Sequence, residues 1–268
     1  MVTVKEVTSL LEEFAPLAYQ APYDNAGLIV GRPENLVSGV LLAVDVTEEV
    51  IAEAIEVGAN LIVTHHPIVF HPLKRFNSKN FVERCVETAI RSDIALYACH
   101  TNLDSTPEGM SWRLAKILGV TPLEIMESTC SVENVGFGVV GTLSEPMPLG
   151  DYLEMVAWRL GISAMRHSRA DMGRKISRVA LCTGSGGSLI GVAKECGAEL
   201  YITGDLKYND FMEGSDELAI VDIGHFESEY CAIDLLFDIL SKKMFNFAVR
   251  KSEASCNPVY YKGFENRN

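Results

Sequence analysis

Three short blocks of the chain collect histidine and carboxylate residues, the side-chain types that bind divalent metal ions. They read THHP at 64–67, HTNLD at 100–104 and GHFESE at 224–229, and they contain four of the six histidines. In the second and third blocks a histidine precedes a carboxylate by four residues, so one helical turn would place both on the same face. At least three imidazoles and two carboxylates suit two hard or borderline divalent ions. The candidate residues are His65, His66, His100, Asp104, His225 and Glu229.

The segments before these blocks read as the β-strands that would position them. Each block ends an apolar stretch, namely NLIVT, IALYAC or LAIVDIG. Open α/β sheets bind their ligands at the carboxyl ends of strands, which favours a shared site. Taken singly, however, each histidine also fits an ordinary core or surface role, and spacing alone does not show that the three strand ends meet.

An internal repeat supports a shared cleft. Residues 51–64 (IAEAIEVGANLIVT) and 190–203 (IGVAKECGAELYIT) agree at seven of fourteen positions, and each copy reads as a helix leading into a strand. Related strand ends would bring their ligand blocks together. The first copy is followed by His65 and His66 and the second by Gly204 and Asp205, so the site would be asymmetric.

Strands and helices alternate along the chain, which predicts an α/β fold with largely parallel pairing. We expect two similar α/β lobes from an internal duplication, residues 1–120 and 121–268, with the metal site in the cleft between them. Residues 120–150, in which VGFGVVGTL at 135–143 is strand-like, would be a crossover, and PYDNAGLIVGRP at 22–33 a turn-rich segment. The predicted helices cover 48–57, 79–92, 107–118, 149–160, 187–196 and 227–241. The predicted strands cover 39–45, 60–64, 94–99, 177–182, 199–203 and 218–223. A last strand near 245–250 is assigned to the second lobe.

Composition argues against several classes of protein. The net charge is −13 over 268 residues and no run of basic residues occurs, which argues against a broad nucleic-acid footprint. Seven cysteines without a C-x-x-C spacing fit reduced, mostly buried thiols. No stretch of about 18 apolar residues occurs, and Glu12 and Glu13 interrupt the apolar run that a signal peptide would need, so we expect a cytoplasmic protein without a membrane span.

A glycine-rich loop, TGSGGS at 183–188, lies between a predicted strand and a predicted helix. Its backbone amides could hold an anion such as a phosphate group. The loop fails as a dinucleotide fingerprint because Leu189 stands where glycine is needed, and it lacks the lysine of a P-loop. A tight structural turn is an equal alternative. The candidate anion-binding residues are Gly184, Ser185, Gly186 and Gly187.

Several blocks together resemble the Nif-three-like dinuclear metal-centre family, also known as GTP cyclohydrolase type-two-like. They span nearly the whole chain: YDNAGLIVG at 23–31, THHPIVFHPLK at 64–74, CHTNLDS at 99–105, TGSGGSLI at 183–190, YITGDLKY at 201–208 and GHFESE at 224–229. The chain departs from relatives in lacking room for the extra domain that longer members carry at 120–150. It also has Asn209 where relatives often have histidine.

The resemblance implies a ligand set and an assembly. It assigns the metal ligands to His65, His66, Asp104, His225 and Glu229, and places His100 beside the metals, either as a further ligand or as a group that contacts the ligands. It further implies two metals bridged by a carboxylate, with Glu229 as the expected bridge, and a hexameric ring of identical chains. The absence of thiolate ligands leaves Zn, Fe, Mn and Ni open.

The function implied by the resemblance and by such a centre is metal-dependent hydrolysis. Two divalent ions activate water for attack on an electrophile, such as C8 of a purine nucleotide like GTP. His100 would move the proton, and the glycine loop or nearby cations such as Lys74, Arg75 and Lys207 would hold phosphate groups. A phosphoesterase needs the same metals, and a non-catalytic metal-binding or interaction scaffold would look the same in sequence, so both stay open.

Overall fold

The computed structural model describes residues 2–242 and 246–262 and has a mixed α/β fold with two sheets. In the described residues the strands are β1 (Gly27–Val30), β2 (Gly39–Ala43), β3 (Leu61–Thr64), β4 (Ala95–Ala98), β5 (Val120–Ser128), β6 (Gly136–Pro148), β7 (Arg166–His167), β8 (Lys175–Ser185), β9 (Leu200–Gly204), β10 (Ala219–Asp222) and β11 (Ala248–Lys251). The α-helices there are α1 (Val4–Phe14), α2 (Glu48–Val57), α3 (Phe81–Arg91), α4 (Thr101–Ser105), α5 (Met110–Ile117), α6 (Leu149–Leu160), α7 (Ile190–Glu195), α8 (His225–Glu229) and α9 (Cys231–Ser241).

The strand order differs between the two sheets. The first sheet runs β1-β4-β3-β2-β11, and the second runs β5-β6-β8-β9-β10-β7. In both sheets the central neighbours are parallel, whereas β1, β5, β6 and β7 pair antiparallel at the edges. The carboxyl ends of β3, β4 and β10 are therefore available to position ligands.

The two sheets face each other across one shared apolar core. Leu42 and Val63 of the first sheet and Leu181 and Ile202 of the second point into it, together with side chains of α1, α5, α6 and α9. Because side chains alternate along a strand, the next residues point outwards and pack under other helices. The outer face of the first sheet lies under α2 and α3, and that of the second lies under α7.

The two copies of the sequence repeat occupy similar places in the two sheets. The helix α2 connects the parallel strands β2 and β3, and α7 connects the parallel strands β8 and β9. Each helix is followed by a glycine in the left-handed conformation, Gly58 with φ 71° and Gly197 with φ 68°. Glycine suits this position because it has no Cβ to clash.

The strand predicted near 245–250 belongs to the first sheet, so its assignment to the second lobe was wrong. β11 pairs parallel with β2, with Ala248 opposite Gly39 and Lys251 opposite Leu42. Without this pairing the apolar strand β2 would be an exposed sheet edge. β11 thus returns to the sheet that contains β1 to β4.

Residues 120–150 are not a simple crossover, which corrects a second prediction. β5 and β6 form an antiparallel pair, and β6 continues the second sheet beside β8. The strand-like segment at 135–143 corresponds to β6, whereas β5 and the pairing were missed because prolines lie in both strands. Pro122 is tolerated because β5 is an edge strand with an irregular register at that point.

Other predicted elements need smaller corrections. The turn-rich segment contains β1, which pairs antiparallel with β4. The helix predicted at 107–118 begins later, at Met110, and follows the separate short helix α4. The helix predicted at 187–196 starts as a 3-10 turn at Gly187–Leu189, and the one at 227–241 is divided into α8 and α9. The prediction for α6 agrees with the structure. The longest described helix has 12 residues, and none in this part of the chain combines the length and apolar character needed to cross a membrane.

The C-terminal segment, residues 252–262, ties the end of β11 to both halves of the molecule. The carboxylate of Glu53 accepts hydrogen bonds from the Ser252 hydroxyl and from the backbone N–H groups of Glu253 (3.0 Å) and Ala254 (3.1 Å). Asn257 Nδ2 donates to Oε1 of Glu227 at 2.8 Å, which reaches the second half. Glu53 is therefore the main polar attachment of this segment to α2.

Replacing Glu53 with alanine should lower the free energy of unfolding by about 1–3 kcal/mol, because two N–H groups lose their acceptor. Urea denaturation measures this, and Glu56→Ala, exposed on the same helix, is the matched control. Burial alone would raise the pKa of Glu53, but its hydrogen bonds with Ser252, Glu253 and Ala254 lower it below the ordinary 4.5. A lowered native pKa stabilises the fold above the ordinary pKa, so the difference from wild type should shrink as the pH falls through that range. A difference no larger than that of the control would contradict this role.

Candidate metal centre

The three residue blocks meet where strands from both sheets end. His65 and His66 directly follow β3, His100 and Asp104 follow β4, and His225 and Glu229 follow β10. β3 and β4 belong to the first sheet, and β10 belongs to the second. Short helices carry the later residues, so that His225 and Glu229 lie one turn apart on α8. The structure thus brings together the residues that the sequence selected.

The carboxylate of Glu229 lies at the middle of this cluster. Its Oε2 is 3.0 Å from the Nε2 atoms of both His66 and His225, and its Oε1 is 3.5 Å from Nε2 of His65. Nε2 of His65 is also 3.8 Å from Oδ1 of Asp104. The Nε2 atoms of His66 and His225 are 3.3 Å apart. The two oxygens of Glu229 therefore face different imidazoles.

Hydrogen bonds at the outer nitrogen fix the direction of each imidazole. Nδ1 of His65 is 2.7 Å from the carbonyl oxygen of Cys99. Nδ1 of His66 lies 2.8 Å from Oδ1 of Asp45, and Nδ1 of His225 lies 2.8 Å from Oδ2 of Asp205. Such acceptors keep the proton on Nδ1 and turn the lone pair of Nε2 towards a metal.

Two atoms at the inside of the cluster lack a hydrogen-bond partner within the described part of the chain. Among the described residues, Nε2 of His65 and Oε2 of Glu229 are buried without a hydrogen-bond partner, although two imidazole nitrogens lie close to the latter. A buried carboxylate that faces nitrogen lone pairs is stable only if protons or a cation lie between them. His65, His66 and Glu229 offer ligand atoms within 4.8 Å of one another, which suits a metal ion.

The electrostatics of the cluster favour positive charge around the carboxylate of Glu229. Burial alone would lower the pKa of His66, but Asp45 and Glu229 raise it to about 10. Burial opposes a charged His225 in the same way, and Glu229 and Asp205 raise its pKa to about 9. The surrounding imidazoles hold the pKa of Glu229 well below its ordinary value in spite of burial. The donor set of imidazoles and carboxylates, without a thiolate, fits Zn, Fe, Mn or Ni.

Asp24 is a site residue that the sequence interpretation missed. Its side chain is buried, and its Oδ1 accepts a hydrogen bond from Nδ1 of His100 at 2.7 Å. Its Oδ2 accepts from the N–H of Thr101 at 3.0 Å and from the Thr101 hydroxyl. Burial would raise the pKa of Asp24, but these hydrogen bonds lower it to about 2. The ring of His100 lies 5.4 Å from those of His65 and His66, so His100 stands beside the cluster with a fixed orientation.

The glycine-rich loop packs directly against Glu229. A Cβ at Gly184 would overlap Oε1 of Glu229, and φ is +66° at this residue. The N–H of Gly184 already donates to Oγ of Ser228 at 2.8 Å. A Cβ at Gly186 would overlap Thr203 and Tyr201. These contacts give the two glycines a packing role. Anion binding by Gly184, Ser185, Gly186 and Gly187 stays a prediction, and Ser185 is the exposed member.

A cavity of about 700 Å³ borders the outer edges of two candidate ligands. His66 and His225 line it together with their carboxylate partners Asp45 and Asp205. Its other walls include the C-terminal segment.

Comparison with known proteins identifies the family. The family model for Duf34/NIF3 (NGG1p interacting factor 3) matches residues 2–258. The chain belongs to this family. The NIF3-family resemblance read from the sequence is thereby confirmed, and it extends over nearly the whole chain.

Relatives of this NIF3-family chain carry a name that refers to GTP. A Clostridium perfringens protein named GTP cyclohydrolase 1 type 2 homolog is 37% identical over 229 residues, covering 85% of this chain and 87% of the relative. A Clostridium acetobutylicum protein of the same name is 31% identical over 265 residues, covering 97% and 98%. Among solved structures, a Staphylococcus aureus hypothetical protein matches with a TM-score of 0.89 at 27% identity, covering 97% of this chain and 99% of that one. A Bacillus cereus protein related to NIF3 has a TM-score of 0.87 at 25% identity, with the same coverage.

Replacing Gly184 with alanine should reduce the metal content of the purified protein, because the added methyl group displaces Glu229. Glu229→Ala should have the same effect by removing the carboxylate. Gly191→Ala is the matched control, since a Cβ there meets no atom within 4 Å. Elemental analysis with circular dichroism separates metal loss from unfolding. Full metal content in both folded variants would contradict the assignment of Glu229 as a ligand.

Proposed function

We propose that this chain is a dinuclear metal-dependent hydrolase that opens the ring of a purine nucleotide, in the manner of a GTP cyclohydrolase. The observation that carries the proposal is the two-sided arrangement of imidazoles around the buried Glu229. The names of the curated relatives support the purine part.

One divalent ion would be held by His65, Asp104 and Glu229, and the other would be held by His66, His225 and Glu229. The short distances from both oxygens to these nitrogens support the assignment. Metal identity within the group Zn, Fe, Mn and Ni is left to measurement.

His100 is the proposed proton carrier. Bound divalent ions would polarise a water molecule and the electrophilic carbon of the substrate. Nδ1 of His100 is engaged by Asp24, so Nε2 is the atom that accepts and returns a proton. Asp24 acts through His100 by fixing the orientation and the tautomer of its ring. The exposed hydroxyl of Ser185 and the neighbouring amides of the glycine loop would meet a phosphate group.

The origin and assembly of the chain belong to the same proposal. The similar placement of α2 and α7 between parallel strands supports an internal duplication, with the metal centre between the two resulting lobes. A hexameric ring follows from the resemblance. Exposed aromatic residues such as Trp158 (82% exposed) and Tyr260 (88% exposed) offer apolar surface for contacts between chains.

Incubation of metal-loaded protein with GTP tests the proposal. Loss of the purine absorbance without release of inorganic phosphate is the expected result. Phosphate release with an intact purine would replace the proposal by a phosphoesterase. Absence of both reactions at full metal occupancy would favour a metal-binding or interaction scaffold.

His100→Ala should keep its metal and lose hydrolytic rate on the order of 100-fold, because a general acid or base is removed. His167→Ala, at an exposed histidine on β7 outside the three residue blocks, is the control. Metal analysis and rate are measured on the same samples. A parallel fall in metal and rate would instead make His100 a ligand, and an unchanged rate would remove it from the mechanism.

A further inference from the structure

Three consecutive residues, Tyr23, Asp24 and Asn25, build one side of the metal centre. Asp24 holds His100, as described above. Asn25 Nδ2 donates to the carbonyl oxygen of Val69 at 2.7 Å, which fixes the loop that follows His66. Tyr23 contacts Phe70 of that loop, with ring centroids 6.4 Å apart and an interplanar angle of 63°. Two loops far apart in sequence thus present their aromatic rings at one place.

A row of rings leads from the candidate ligands to the surface. The ring of His100 is 5.4 Å from those of His65 and His66, and Phe70 lies 6.0 Å from His100 at an angle of 86°. Tyr23 is the outermost ring of the row. Phe70 is 38% exposed and Tyr23 is 68% exposed. Both rings are therefore partly open to solvent beside His100.

The chemistry of this surface favours an uncharged planar group. Burial, followed by the nearby Asp24 and Asp104 carboxylates, raises the pKa of Tyr23 above its ordinary value. The cavity that His66 and His225 line has a different character. Asp45, Asp205, Asp222 and Glu227 line it, and its Arg166 is paired with Asp222. Carboxylates there would repel a phosphorylated molecule, whereas the aromatic side presents ring faces.

We infer that Tyr23 and Phe70 form an aromatic wall that stacks the planar heterocycle of the substrate beside His100. The inference rests on the proposed function in one respect, namely that the substrate contains such a ring. Aromatic side chains bind heterocyclic bases through their faces, and removing one stacking residue commonly weakens binding about tenfold. The wall determines which ring system reaches His100, and the phosphate groups contribute elsewhere.

Equilibrium binding of guanosine to the metal-loaded protein tests the wall without requiring turnover. Phe70→Leu and Tyr23→Leu remove one ring each, and each should weaken guanosine binding about tenfold. Tyr23→Phe keeps the ring and should bind like wild type. Phe76→Leu is the matched control, because Phe76 is exposed on the same loop outside this row of rings. Ribose 5-phosphate serves as the probe without a base, and its affinity should be the same in all variants.

The outcomes separate this inference from the proposed hydrolase. Guanosine binding that depends on both rings supports the wall even if GTP is not turned over. Absence of guanosine binding to the metal-loaded wild type overturns the wall, as does an unchanged affinity in both leucine variants. Equal weakening of ribose 5-phosphate binding also overturns it, because the rings would then act on the whole site. If light scattering shows that Phe70→Leu dissociates the protein, the rings belong to a contact between chains, and the inference fails.

Discussion

The buried charge of Glu229 is the interaction on which the rest of the centre depends. A carboxylate removed from water is costly unless positive charge compensates it. Here both oxygens face imidazoles, which come from strand ends of two different sheets. The two halves of the molecule are thus joined by a polar cluster as well as by the shared apolar core. The compensation requires a cation or several protons at one point, which is the condition for a metal site.

The surrounding structure fixes this arrangement from outside. Asp45, Asp205 and the Cys99 carbonyl group orient three imidazoles from behind, so little rotational freedom remains for the inner nitrogens. Gly184 allows the loop after β8 to pass against Glu229, where a side chain would overlap the carboxylate. A hydrogen bond at Nδ1 makes an imidazole more basic and fixes the direction of its Nε2 lone pair. The same device recurs at His100, where Asp24 has the role of the outer acceptor.

The cluster of candidate ligands could be predicted from sequence because its signals are local. Histidine and carboxylate residues four apart after apolar strands place side chains at strand ends, and the structure brings them together. Asp24 could not be predicted this way, since it reaches His100 from a loop 76 residues earlier, and no spacing rule covers that distance. The position of β11 could not be predicted from sequence either. It pairs with the edge of β2, and that edge exists only once the first sheet has formed. Similarly, β5 and β6 gain their stability from a neighbouring strand and contain prolines that suggested a connection.

Crystallography of the metal-loaded protein with anomalous scattering measured at the absorption edge of the bound metal tests the central claim most directly. Two anomalous peaks are expected, one beside each oxygen of Glu229, with His65 and Asp104 around one and His66 and His225 around the other. A single peak bound by all of these residues would contradict the dinuclear arrangement. No peak at Glu229 in protein shown to contain metal would mean that protons compensate its charge and that the metal lies elsewhere.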